Sequence, residues 1–309
     1  MKDSRPSTTA LATMAMAALV LMGGAQEANP LRAAVSGRAI QPGEVVRLDV
    51  RCDCQASGAT ATVFGRDVPL FRAGKAGAWQ GLIGIDLDTA PATYPIAVVA
   101  DQDGRAPLAT TRELAVAAKS FPERHLRVAP RFVNPPEAEI ERIQDEARRL
   151  EATFETLTRP RRWDGPFQAP TGAPASGNFG ARSLFNGQAR SPHSGVDFRA
   201  AAGTPVAAPG AGVVAIAESL FFAGNTVVID HGLGLYSLLA HLSTFAVKAG
   251  DRVRRGQVVG TVGATGRATG PHLHWSVRLN GARVDPLSLV AATGTQPAAA
   301  LRPPGGGTR

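Results

Sequence analysis

Apolar and polar positions along this chain alternate in short runs more often than they recur at helical spacing. Val45–Val50, Thr60–Phe64, Leu82–Leu87, Tyr94–Ala100 and Arg112–Val116 are short β-rich runs. Turn signals such as Gln41-Pro42-Gly43 and Asp101-Gln102-Asp103-Gly104 separate them. Strands at this spacing predict a small sandwich of immunoglobulin-like type over residues 26–119. The period then changes. After Asn134-Pro135-Pro136, Ile140, Ile143, Ala147, Leu150, Phe154 and Leu157 recur every three or four residues. That spacing predicts one amphipathic helix of about six turns. Proline suits its first turn, and Pro160 stops it. The helix falls in a connector, 120–166, and its stripe is expected to pack on a neighbouring domain; a lid over a site is the other reading. From Phe167 the pattern returns to strands and glycine turns and predicts a compact antiparallel domain over 167–291. Residues 292–309, rich in Ala, Pro and Gly, predict a disordered tail. The expected fold class is mainly β.

The last domain carries the chemistry. From His272 to Leu279, Leu273, Trp275, Val277 and Leu279 alternate with His272, His274, Ser276 and Arg278. Period two puts both histidines on one face of a half-buried strand. Asn280-Gly281 then predicts a type I′ hairpin. Around His241 a similar alternation sets Tyr236, Leu238, Ala240 and Leu242 on one face, and Ser237, Leu239, His241 and Ser243 on the other. His193 and Asp197 lie four apart in Ser191–Asp197, where proline and glycine favour a loop running into a strand over a helix. Four of the six histidines fall in these three segments. Of the others, His231 is expected in a turn and His125 on the surface between domains. Neutral imidazole and carboxylate are ligands that zinc accepts, and a catalytic zinc site takes three of them and leaves a position open. The segments offer more ligands than that, which leaves groups for acid–base work.

His-x-x-x-Asp, Ala-His-Leu-Ser and Pro-His-Leu-His together resemble the M23 peptidases, the lysostaphin- and LytM-like zinc endopeptidases that cut peptidoglycan peptides. The likeness runs from about Phe167 to Leu289. It implies that His193, Asp197 and His274 hold a zinc ion and that His241 and His272 are the unligated catalytic histidines. A weaker likeness around Leu82–Asp86 is to the domain that precedes the peptidase in some members. Family members often place a tyrosine donor ahead of the first histidine. Ser183–Pro192 holds Phe185, Asn186 and Arg190 instead, so the donor stays open.

The remaining features refine the expectation. A net charge of +8 suits an anionic polymer, and no arginine-lysine patch with interleaved aromatics speaks for nucleic acid. Lys2 and Arg5 followed by the apolar run Ala10–Met22 predict a secretory signal over 1–25, hence a periplasmic or secreted protein with no membrane insertion after cleavage. In an oxidising compartment Cys52 and Cys54 either bridge or stay as two thiols. The expected activity is hydrolysis of peptidoglycan cross-links as a D,D-endopeptidase. Alternatives are a non-catalytic activator of a cell-wall amidase, a self-inhibited enzyme or a glycan-binding envelope protein, with an envelope regulator as a possible partner. Small residues near the motifs (Gly195, Gly263, Ala264, Thr265, Gly266, Ala268, Gly270) are expected to let a peptide backbone lie close to the metal, with no pocket for a large side chain.

Overall fold

The computed structural model describes residues 29–294, so the expected signal segment lies outside the described residues. Eight strands come first: β1 (Leu31–Ser36), β2 (Val45–Cys52), β3 (Ala56–Val63), β4 (Arg66–Val68), β5 (Phe71–Arg72), β6 (Ala78–Gly84), β7 (Ala92–Gln102) and β8 (Leu108–Val116). They form two antiparallel sheets, ordered β1-β2-β6-β5 and β4-β3-β7-β8. Their inner faces share one core: Val46, Leu48, Val50 and Ile83 from the first meet Val63, Ile96, Val98 and Leu114 from the second. The result is a sandwich. All five runs picked out by alternation belong to it. Edge strands β1, β4 and β5 were not expected, because short edges carry little apolar contrast. Within the run Leu82–Leu87 the strand ends at Gly84, although Ile85 still exchanges backbone hydrogen bonds with Gly43 and Glu44 and, like Leu87, stays buried. Cys52 and Cys54 form a disulfide at the end of β2.

The connector contributes β9 (Glu123–Leu126) and α1 (Glu137–Glu155). The helix begins behind Pro136 as expected, but its apolar stripe is only partly used. Leu150 and Phe154 pack against Tyr236, Leu238 and Ala240, while Ile140 and Leu157 are exposed. The helix residue that is buried is Glu146. Its carboxylate accepts from the Phe221 backbone N–H at 2.8 Å and from Arg142 Nε at 2.7 Å. No helix among the described residues is long and apolar enough to cross a membrane.

The rest is β10 (Arg182–Phe185), β11 (Gln188–Ala189), β12 (Gly195–Phe198), β13 (Pro205–Ala207), β14 (Gly212–Leu220), β15 (Gly224–Gly232), β16 (Leu235–Phe245), β17 (Arg252–Val253), β18 (Val258–Val262), β19 (Leu273–Leu279), β20 (Ala282–Val284) and α2 (Pro286–Thr293). The main sheet runs β12-β19-β16-β15-β14-β17, with β18 on β16 and β20 on β19, all antiparallel. Asn280 and Gly281 both take positive φ and close the β19–β20 hairpin, as the sequence predicts. β10 and β11 sit apart from that sheet, and β10 pairs in parallel with β9.

Two expectations are corrected here. His231 is a fully buried member of β15 rather than a turn residue. It donates from Nδ1 to the Ala211 carbonyl at 2.8 Å and its Nε2 meets Ser237 Oγ at 2.9 Å. Burial, more than any neighbour, pushes its pKa down to about 4. The expected tail at 292 begins too early, since α2 continues to Thr293 and Ala292 is buried. His125 is solvent-exposed beside Glu123 on β9, a surface residue as expected.

The two halves of the chain are tied together. Val45, Leu82 and Leu87 join the core that contains Trp275 and Leu289. Glu44, 3% exposed, binds Arg38 Nε at 2.6 Å, Lys119 Nζ at 3.1 Å and Ser288 Oγ at 2.8 Å. Arg38 also pairs with Asp285, the cap of α2.

Candidate metal centre

Antiparallel pairing of β12 with β19 sets Asp197 directly opposite His274. Facing residues on one side of such a pair have Cβ atoms about 5 Å apart. Val196 and Phe198 alternate into the core, so Asp197 has to point the other way. On β19, Leu273, Trp275, Val277 and Leu279 are buried in that same core, and His274, Ser276 and Arg278 line an open groove above it. Gly195 is required here. A Cβ at that position would come within 2.6 Å of the His274 ring and 2.5 Å of the Trp275 carbonyl.

His193 arrives from the loop ahead of β12. Its backbone is clamped by Gly180 N–H at 2.7 Å and by the Ala181 carbonyl at 2.9 Å. Its Nε2 lies 3.0 Å from Asp197 Oδ1 and 3.0 Å from His274 Nδ1, and those two lie 2.9 Å apart. Three ligand atoms therefore stand at the corners of a nearly equilateral triangle. A tetrahedral zinc with Zn–N and Zn–O bonds of about 2.0–2.1 Å spaces its ligands by roughly 3.3 Å, so the fit is close. The protonation pattern agrees. His193 Nδ1 faces the Asn178 carbonyl at 3.2 Å and must donate to it, which leaves Nε2 with a lone pair toward the triangle. Burial pushes the His274 imidazole toward its neutral form. Burial alone would raise the Asp197 carboxyl, but the His193 and His274 contacts outweigh it and hold the group well below the usual carboxylate range. One carboxylate and two imidazole nitrogens make a donor set that fits a divalent cation.

His241 and His272 stand beside this triangle. Their ring centroids are 4.7 Å apart, and His241 is 6.0 Å from His274. Each donates from Nδ1 to a carbonyl at 2.8 Å, His241 to Thr265 and His272 to Gly270. In both, Nε2 is the nitrogen left for chemistry. His272 Nε2 is 4.0 Å from Asp197 Oδ1. Burial first, and the neighbouring His274 and His272 second, push the His241 pKa down to about 3. All five predicted site residues are thus brought together.

The route by which His241 gets there differs from the alternation expected. Its φ is +63°, in the left-handed region, and the β15–β16 register slips between Leu239 and Leu242. This bulge moves Leu242 to the core beside Leu239 and swings His241 to the groove side with Leu238 and Ala240. The small-residue expectation fails for a related reason. Of that set, Gly270 lines the groove, while Gly263 and Gly266 pack tightly against the backbone of Ser243 and Gly224. The groove, about 1380 Å³, is walled instead by larger groups such as Phe154, Phe185, Phe222 and Leu238.

Two residues here escaped the sequence reading. Asn178 donates from Nδ2 to Asp197 Oδ2 at 2.7 Å while its carbonyl receives His193 Nδ1, so one residue orients two ligands. Arg124, on β9, places Nη1 3.7 Å from Asp197 Oδ2. Neither lies in a periodic run, and no local signal marks them.

Comparison with known proteins gives a consistent picture. Residues 191–286 match the peptidase family M23. A crystal structure of a peptidase M23 from Pseudomonas aeruginosa is 33% identical, covers 82% of this chain and 96% of its own, and superimposes with a TM-score of 0.64. The DD-carboxypeptidase/endopeptidase Mpg of Neisseria meningitidis is 46% identical over 101 residues, 33% of this chain and 23% of that protein. The peptidoglycan DD-endopeptidase ShyA of Vibrio cholerae is 44% identical over 113 residues, 36% of this chain and 26% of that protein. The chain thus matches about a quarter of the length of these curated relatives.

Proposed function

Because the chain belongs to peptidase family M23, we propose that it is a zinc-dependent endopeptidase that hydrolyses the peptide cross-links of peptidoglycan, acting as a D,D-endopeptidase in the periplasm or cell envelope. The observation that carries this reading is the convergence of His193, Asp197 and His274 on one point, with the Nε2 atoms of two further histidines left free beside it. The names of the Neisseria and Vibrio relatives support the substrate class.

When bound, zinc would supply Lewis-acid polarisation of the scissile carbonyl and a water of lowered pKa. The chain's own residues supply the rest. His193, Asp197 and His274 would hold the ion, and Asn178 fixes the orientation of the first two. His241 and His272 present their Nε2 atoms, one to take a proton from the attacking water and the other to steady the developing oxyanion or protonate the leaving amine. The Thr265 and Gly270 carbonyls lock both tautomers in place. An amidase activator without its own chemistry would have no use for a complete ligand set with two oriented histidines, which favours the enzyme. The test is digestion of purified cross-linked peptide dimers, with pentaglycine in parallel and products identified by mass spectrometry. Dimers should become monomers. Cleavage of pentaglycine alone would overturn the D,D assignment, and cleavage of neither by zinc-loaded protein would overturn the enzyme reading.

A further inference from the structure

Among the described residues the Arg278 guanidinium has no salt bridge and no hydrogen bond, and Asp86 is the one acid whose charge reaches it. Arg278 lies on the groove face of β19, four residues beyond His274, or about 13 Å along the strand. Its guanidinium stacks over the Phe154 ring at 5.4 Å, and its Nη1 is buried with no hydrogen-bond partner. Its strand partners are Tyr236 and another cation, Arg283, whose Nη2 is held by Asp86 and Asp88 at 2.6 Å each. Asp67, Glu151 and Glu155 line the same groove, and none of them is paired with Arg278 among the described residues. Burial and the repulsion of Arg283 push its pKa down to about 10, which measures how poorly its charge is compensated. The side chain is half-buried, and its one fully enclosed nitrogen, Nη1, is a donor left without an acceptor, which costs free energy unless a ligand completes it. Guanidinium is also the group best shaped for a carboxylate, which it can grip with two parallel N–H bonds.

Resting on the endopeptidase reading, we propose that Arg278, braced by Phe154, is a carboxylate-binding subsite that selects peptides bearing a free carboxylate a few residues from the scissile amide. An extended peptide advances about 3.3 Å per residue, so one lying along β19 from the metal centre would bring a group three or four residues away opposite Arg278. The ring of Phe154 removes water from one face of the guanidinium and holds it in place. Because Phe154 belongs to α1, the connector helix would take part in reading the substrate.

The experiment uses the whole chain carrying His241→Asn, loaded with zinc, so that peptides survive during binding measurements. Binding of a cross-linked peptide is compared with that of the same peptide after its free carboxylates are converted to amides. The expected result is about tenfold to a hundredfold weaker binding of the amide form. Adding Arg278→Gln should abolish that difference, and Arg278→Lys should keep part of it. Equal binding of the two peptides before any Arg278 change would overturn the proposal, and this arm does not depend on an Arg278 variant folding. Persistence of the full difference in Arg278→Gln would also overturn it. Cleavage by the chain with His241 intact is scored separately. Discrimination without cleavage would keep the subsite and sink the endopeptidase reading; cleavage without discrimination would do the reverse.

Discussion

At the scale of single residues, the proposed function gives holding the metal and moving the proton to different side chains. His193, Asp197 and His274 point their donor atoms at one another, whereas His241 and His272 are tethered through Nδ1 and reach in with Nε2. Replacing either member of the second pair should therefore leave the metal and remove the chemistry. His241→Asn is the better probe than alanine, because asparagine tolerates the left-handed backbone that position adopts. The expected outcome for His241→Asn and His272→Ala is one zinc per chain by metal analysis and turnover lower by about 10²–10⁴-fold. Asn178 makes a different prediction. Its side chain touches the outer oxygen of Asp197 while its backbone carbonyl receives His193 Nδ1, so Asn178→Ala, which removes the first contact and keeps the second, should weaken zinc affinity by about 10–100-fold while a zinc-saturated sample regains much of its activity. A chelator competition titration checks the first half. Loss of activity that excess zinc does not restore would assign Asn178 to the chemistry itself.

At the scale of elements, the contrast between β19 and β16 explains what could be read in advance. One face of β19 meets the core and the other meets the groove, so its alternation is a direct record of its surroundings, and His274 within it and His272 just ahead of it were legible. β16 is buried on both faces from Leu235 to Leu242, so alternation there distinguishes nothing. The bulge at His241 adds a residue without a glycine to announce it, and no pattern shows which face the histidine will take. The helix was legible in its period and its proline start, yet not in its docking. Glu146 reads in sequence as one more solvated charge, but it accepts the Phe221 N–H and also holds Arg142. Glu146→Ala should cost about 1–3 kcal/mol by leaving that buried donor unpaired. Urea denaturation checks this, and a change below about 0.5 kcal/mol would mean that α1 is held by Leu150 and Phe154 alone.

At the scale of the whole molecule, the seam around Glu44 makes the sandwich and the C-terminal helix one structure. Its carboxylate gathers Arg38, Lys119 and Ser288, groups up to 244 residues away. Glu44→Ala should cost about 1–3 kcal/mol, because it leaves Ser288 and Lys119 without their partner at a part-buried site, and it should split a single unfolding transition into two. Burial acts to raise the Glu44 pKa, but Arg38 and Ser288 bring the net shift below the ordinary value. Its stabilising contribution is then present above the unfolded pKa and lost as pH falls through the folded one. Acidification below about pH 4 should loosen the unmutated chain more steeply than Glu44→Gln, as scanning calorimetry across pH would show. Such a seam joins residues remote in sequence and leaves no local trace, which is why neither half advertised it. The parallel pair β9–β10 has a further consequence, for anyone recombining this protein from modules. The family match begins at 191, and the strand that sets Arg124 against Asp197 lies far ahead of it, at Glu123–Leu126. A chimaera spliced at residue 167 would inherit every histidine of the centre and leave its neighbouring arginine with the donor, so the transplantable unit starts upstream of β9.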